Sequence, residues 1–249
     1  MTASRLLVVQ HEPDAPVAWL GEWWTDLGLT LDIVRGDLGE ALPPRLDEAR
    51  HHGLVVLGGA MGACDDAVAP WLAATRALVA EAVSRELPTL GVCLGHQLSA
   101  VALGGRVERN PSGRTVGVVP VALTAAGHED PLLSGFDGRG AVHYNDDVVA
   151  QPPPGAVVLA TLPDGRPQAL RFGPRAWGVQ FHPETSPEVF GAWLRWDSPD
   201  GLTPDQEVLL AEVTAAREPL RGWRTLAERF AAVVTGGSRS RGRLPVPSA

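Results

Sequence analysis

The chain has 249 residues, 45% of them apolar, with a formal net charge of −8, which suits one full α/β domain and a short appendage. The acidic balance argues against a nucleic-acid partner, and apolar runs such as residues 54–57 are too short to cross a bilayer. All 21 basic residues are arginine, so neither a phosphate-binding P-loop nor lysine Schiff-base chemistry can be built.

Residues 5–10 (RLLVVQ) read as a buried strand, entered with no basic-then-apolar leader, so the expected location is cytoplasmic. Residues 15–27 read as a helix with Trp19 and Trp23 four apart on one face. Strands follow over 30–35 and 53–57, the second running into the glycine-rich 58–62. Residues 70–86 make a helix, with Asp65 and Asp66 before it and Pro88 after it. A short strand over 88–92 leads into a helix over 94–103, stopped by Gly104-Gly105. This alternation predicts a mixed, mostly parallel central sheet with helices on both faces. Strand-like runs over 115–123, 157–161, 168–172 and 176–181 then read as a mostly antiparallel second half of the same domain. Helices are expected over 186–196, 204–217 and 220–234, and disorder over 236–249. The expected division is one domain over 1–198, a helical extension packed on it over 199–235, and the tail.

In Gly91-Val92-Cys93-Leu94-Gly95 a buried strand meets a helix with no room for a loop, and glycines flank the junction two residues away on each side. That is the pattern of a nucleophile elbow, which leaves the junction side chain exposed at a helix N-terminus. The helix end favours a thiolate, and the Leu94 N–H faces the space where an oxyanion would form. A free cysteine is most often a small core residue, which is how Cys64 reads; for Cys93 the flanking glycines favour catalysis.

A thiol elbow needs a base. Among seven histidines, His182 stands out because it ends an apolar strand in GVQFHPE. Residues two apart in an extended chain share a face, so Glu184 lies beside it, with Pro183 keeping the chain extended. A carboxylate there fixes the imidazole tautomer and stabilises the imidazolium. His96 is expected to face away from the thiol.

GVCLGHQ and QFHPE, 89 residues apart from Cys93 to His182, resemble the two signature motifs of class I glutamine amidotransferases. GGAMG at 58–62 and PPPGAVVLA before the final hairpin are further matches, and the resemblance covers residues 1–196. It implies a flavodoxin-like amidotransferase fold in which Cys93 attacks the glutamine side-chain amide, His182 serves as base and then acid, and Glu184 orients it. The backbone N–H groups of Gly59 and Leu94 would form the oxyanion hole. Gln97 would contact the amino-acid end of the substrate, as would His143, Tyr144 and Asn145 in a looser match. The Asp146-Asp147 pair reads equally well as a solvated turn. No cofactor or metal is implied.

About 50 residues follow Trp196, too few for a synthetase domain. The leading expectation is glutamine hydrolysis that passes ammonia to an acceptor on a separate synthetase partner. A stand-alone γ-glutamyl peptide or conjugate hydrolase would use the same triad. A non-catalytic binding or regulatory module is the remaining alternative.

Overall fold

Alternation in the early strands sorts their side chains into two cores. The computed structural model describes residues 3–236; the expected disordered tail, apart from Gly236, lies outside the described residues. In chain order the first half is β1 (Arg5–Gln10), α1 (Ala18–Asp26), β2 (Thr30–Arg35), β3 (Gly53–Val56), α2 (Trp71–Ser84), β4 (Thr89–Val92) and α3 (Leu94–Ala102). Leu6 and Val8 of β1 and Val55 of β3 join one core with Trp24 of α1. Their neighbours Leu7, Val9, Leu54 and Val56 join the other, with Leu72 and Leu78 of α2 and Leu98 of α3. Helices therefore cover both faces, as buried parallel strands require.

The second half comprises β5 (Arg106–Arg109), β6 (Thr115–Pro120), β7 (Ala122–Leu123), α4 (Ala125–His128), β8 (Gly140–Asn145), β9 (Asp147–Gln151), β10 (Val157–Thr161), β11 (Pro167–Gly173) and β12 (Ala176–Val179). The main sheet runs β2-β1-β3-β4-β12-β11-β10-β7. β12 pairs in parallel with β4, and from β12 outward the pairing is antiparallel. Three expectations need correction. The run over 115–123 is not one strand: β6 pairs with β8 in a separate ribbon, while β7 joins the edge of the main sheet. The strand expected to reach residue 181 ends at Val179, and β5, β8 and β9 form where the sequence pattern predicts no strand.

Helices α5 (Pro187–Asp197), α6 (Pro204–Ala215), α7 (Arg217–Arg221) and α8 (Arg224–Gly236) complete the chain. Thr203 and Gln206 form a reciprocal capping box that starts α6. On this helix Val213 is buried, whereas Val208 is exposed. α8 lies against α1, where the Trp24 Nε1–H donates to the Ala227 carbonyl at 3.1 Å and the rings of Trp24 and Phe230 are 5.7 Å apart. No helix among the described residues is long and apolar enough to cross a membrane.

Candidate active site

Cys93 stands alone between β4 and α3, with φ of 50° and ψ of −105°. A side-chain-bearing residue held at positive φ costs about 1–3 kcal/mol, so the surroundings must enforce it. Glycine makes that possible. A Cβ on Gly95 would lie 2.0 Å from the Val56 carbonyl oxygen, and one on Gly91 would lie 2.5 Å from that of Gly95. The helix therefore approaches the sheet at backbone distance. The turn is pinned by Cys93 N–H donating to the Val179 carbonyl (2.8 Å) and Gly95 N–H to that of Leu57 (3.1 Å).

His182 reaches this point from the next strand. Beyond Val179 the chain bends, and the His182 N–H donates to the Val142 carbonyl of β8 at 2.8 Å. Its Nδ1 lies 2.7 Å from Glu184 Oε1, and Cys93 is near enough to interact with the ring electrostatically. Burial alone would lower the pKa of this imidazole, but the Glu184 carboxylate and Cys93 together raise it to about 10. A Cβ on Gly58 would come within 3.0 Å of His182 Cε1, which accounts for glycine there. Glu184 Oε2 has no hydrogen-bond partner among the described residues.

Cys93 and His182 open into a cleft of about 520 Å³. Gly59, Gln97, Tyr144 and Asn145 also line it. Gln97 Nε2 donates to the Asp147 carbonyl (3.0 Å) and to Gln180 Oε1 (3.2 Å), and Asn145 Nδ2 donates to the same Asp147 carbonyl (3.1 Å). The Tyr144 hydroxyl bonds the Trp193 carbonyl (3.2 Å) and Asp197. His143 does not fit the expectation of a substrate contact. It is buried and outside the cleft lining, its ring packs toward Phe181 at 6.0 Å, and burial lowers its pKa to about 4. Among the described residues, the N–H groups of Gly59 and Leu94 donate to no other protein group. In the glycine-rich loop around Gly59, the Asp65 carboxylate accepts from Gly62 N–H at 2.7 Å. His96 is wholly buried on α3, its ring 5.8 Å from Phe172, and burial lowers its pKa to about 3.

Several residues in and around the cleft have no role assigned from the sequence. Arg114 pairs with Asp146 at 2.7 Å and also with Asp197, so Asp146, in the part-exposed bend between β8 and β9, belongs to an ion-pair network. Arg109 and the 66%-exposed Trp196 stand at the rim. Gln180 lies 3.5 Å from the Cys93 sulfur. The period-two argument that joins Glu184 to His182 reaches Gln180 when taken one step back. Among the described residues there is no group of three or more His, Cys, Asp or Glu side chains arranged to hold a metal ion.

The family described as glutamine amidotransferase class-I matches residues 25–195. The chain belongs to that family. Among its relatives, the glutamine amidotransferase-like protein YfeJ of Salmonella typhimurium is 33% identical over 193 residues, which are 74% of this chain and 77% of YfeJ. The GMP synthase of Aeropyrum pernix is 35% identical over 181 residues, 68% of this chain but only 32% of that protein. This amidotransferase-family chain thus spans about a third of that GMP synthase. A solved glutamine amidotransferase from Thermotoga maritima superposes with a TM-score of 0.81 at 25% identity, covering 93% of this chain and 99% of that one. The glutamine amidotransferase of Methylobacillus flagellatus, at 23% identity, shares the fold with a TM-score of 0.80 over 99% of this chain and 100% of that one.

Proposed function

We propose that the cleft hydrolyses the side-chain amide of glutamine through a γ-glutamyl thioester on Cys93. The observation that carries this reading is the 2.7 Å contact of Glu184 with His182 Nδ1, which leaves Nε2 of the same ring for the thiol. Cys93 Sγ attacks the amide carbon, and the carbon–nitrogen bond breaks as His182 passes its proton to the nitrogen, releasing ammonia. Water then attacks the thioester carbon and gives a proton to His182. The carbon–sulfur bond breaks, returning the thiolate–imidazolium pair and free glutamate. The Gly59 and Leu94 N–H groups meet the oxyanion in both steps. Gln97, Tyr144 and Asn145 take the amino-acid end of the substrate. Residues 1–198 form the amidotransferase unit, with 199–235 packed on it.

The ammonia goes to an acceptor on a separate synthetase. Support comes from a relative that is itself one subunit of a GMP synthase, that of Saccharolobus solfataricus, 42% identical over 104 residues, 40% of this chain and 52% of that one. One observation favours a second reading, hydrolysis of γ-glutamyl peptides or conjugates. The cleft of about 520 Å³ is larger than one glutamine fills and falls in the range that admits drug-sized ligands.

The test is kcat/KM of the purified protein for glutamine and for a γ-glutamyl dipeptide, with Cys93→Ala as the blank. Slow glutamine turnover that a partner accelerates supports the first reading. A strong preference for the dipeptide with no partner present promotes the second. Amide hydrolysis surviving in Cys93→Ala defeats both.

A further inference from the structure

The side-chain amide of Gln180 is fully buried and ends 3.5 Å from the Cys93 sulfur, yet Gln180 is no part of the cleft wall. Oxygen and nitrogen of an amide look alike, so the end that faces the sulfur has to come from the hydrogen-bond network. The Asp147 carbonyl oxygen can only accept. The Gln97 atom 3.0 Å from it is therefore the nitrogen, Nε2. That nitrogen is 3.2 Å from the Gln180 amide, whose facing atom must then be the acceptor Oε1. By elimination, the Gln180 NH2 group points at the sulfur. The anchor is used twice, because Asn145 Nδ2 also donates to the Asp147 carbonyl at 3.1 Å.

We propose that Gln180 is a catalytic donor whose amide N–H hydrogen-bonds the Cys93 sulfur and favours its thiolate form. The donor is oriented by a chain running from the Asp147 carbonyl through Gln97. This rests on reading Cys93 as the nucleophile. A hydrogen bond to the charged form of an acid favours that form, and more so where no water competes. A neutral donor also does what His182 cannot. His182 loses its proton to the leaving nitrogen, whereas the Gln180 N–H remains in place throughout. When the thioester breaks and charge returns to sulfur, that N–H is already there to receive it.

The test is the rate of Cys93 alkylation by iodoacetamide against pH, in a Cys64→Ala background so that a single thiol reacts. Gln180→Leu removes the donor at similar volume, and the alkylation midpoint should rise by about one pH unit. Gln180→Glu sets a carboxylate against the sulfur and should raise it further. A purely structural role would lower Tm and leave the midpoint where it was. Gln97→Glu gives a second arm should the Gln180 variants fail to fold. It replaces the Nε2 donor with an acceptor, so Gln180 must turn its NH2 group toward residue 97 and its oxygen toward the sulfur. The midpoint should rise although residue 97 does not touch the sulfur, and where the double variant folds, adding Gln180→Leu should cancel most of that rise. An unchanged midpoint in a folded Gln180 variant, or in Gln97→Glu, overturns the assignment. Cys93→Ala separates the two ways of failing. If it still releases ammonia, the nucleophile reading falls and takes this proposal with it. If it is inactive while the midpoints stay fixed, only the Gln180 assignment falls.

Discussion

Trp193 packs its indole against the His182 imidazole with 4.6 Å between ring centroids, while its Nε1–H donates to the Asp14 carbonyl at 2.6 Å. The imidazole is thus fixed at one edge by Glu184, on one face by Trp193, and near Cε1 by the side-chain-free Gly58. Trp193→Ala should cost about 3 kcal/mol of stability and lower kcat at least tenfold, because a loosened base leaves its productive geometry. Trp193→Phe should retain most of kcat. Thermal melts and ammonia-release kinetics on the two variants check this; equal kcat in both would remove Trp193 from the positioning of His182.

The two cysteines should separate cleanly. Cys64 is exposed, and Cys93 is buried at the elbow. Cys93→Ala or Cys93→Ser is expected to abolish amide hydrolysis, and Cys64→Ala to leave it nearly intact. His182→Ala should be as damaging as Cys93→Ala. Glu184→Gln should lose less, since an amide can still orient the ring. The measurement is kcat/KM for the four positions. An inactive Cys64→Ala with an active Cys93→Ala would reverse the assignment.

Buried histidines give the protein two opposed pH dependences. His96, held at about 3, and His11 and His143, each held at about 4, are depressed by desolvation, so the unfolded chain takes up protons that the folded chain refuses. Their contribution is present above the ordinary histidine value of 6.5 and lost as pH falls toward those values. His182 has the opposite sign. Raised to about 10 by Glu184 and Cys93 against the desolvation that lowers it, its contribution is full below 6.5 and lost as pH rises through about 10. His143→Phe should flatten the acid limb of Tm against pH by about one proton, and Glu184→Gln should flatten the alkaline limb. An acid limb unchanged in His143→Phe would mean that this ring does not titrate with folding.

The parallel half of the fold was legible because β1, β3 and β4 are short apolar runs, each followed by a helix-period segment. The ribbons were not. β5 and β9 carry mostly half-buried or exposed residues, so neither a buried run nor a clean alternation marks them. At the site, Cys93 and His182 could be read from backbone constraints, namely glycines at an elbow and a histidine at a strand end. Trp193 could not, because its contact with His182 depends on how α5 docks. Arg114 is invisible for the same reason: its partners Asp146 and Asp197 come from different parts of the chain. Gln180 could have been found, since the alternation used for His182 and Glu184 includes it.

Trp223, in the link between α7 and α8, connects the C-terminal helices to the strand that carries His182. Trp223 is fully buried, donates from Nε1 to the Gly140 carbonyl at 3.0 Å, and stacks on Phe136 at 4.5 Å between ring centroids. Its other neighbour is Phe181, 4.7 Å away and next in sequence to His182. The pair Trp24 and Phe230 also joins α8 to α1, but neither residue lines the cleft. Phe230→Ala should therefore lower stability by about 3–5 kcal/mol and leave kcat unchanged at a temperature where the variant is folded. Trp223→Ala should cost a similar amount and also lower kcat, because the Phe181 backing of the His182 strand is lost. A truncation after Ser198 would uncover Trp24, Phe136 and Phe181 together and should not yield a soluble, heat-stable protein. Melting temperatures and ammonia-release rates for the two point variants decide the matter. If both retain wild-type kcat when folded, the C-terminal helices stabilise the domain without supporting His182; if only Trp223→Ala loses kcat, the link between α7 and α8 is part of what holds the base in place.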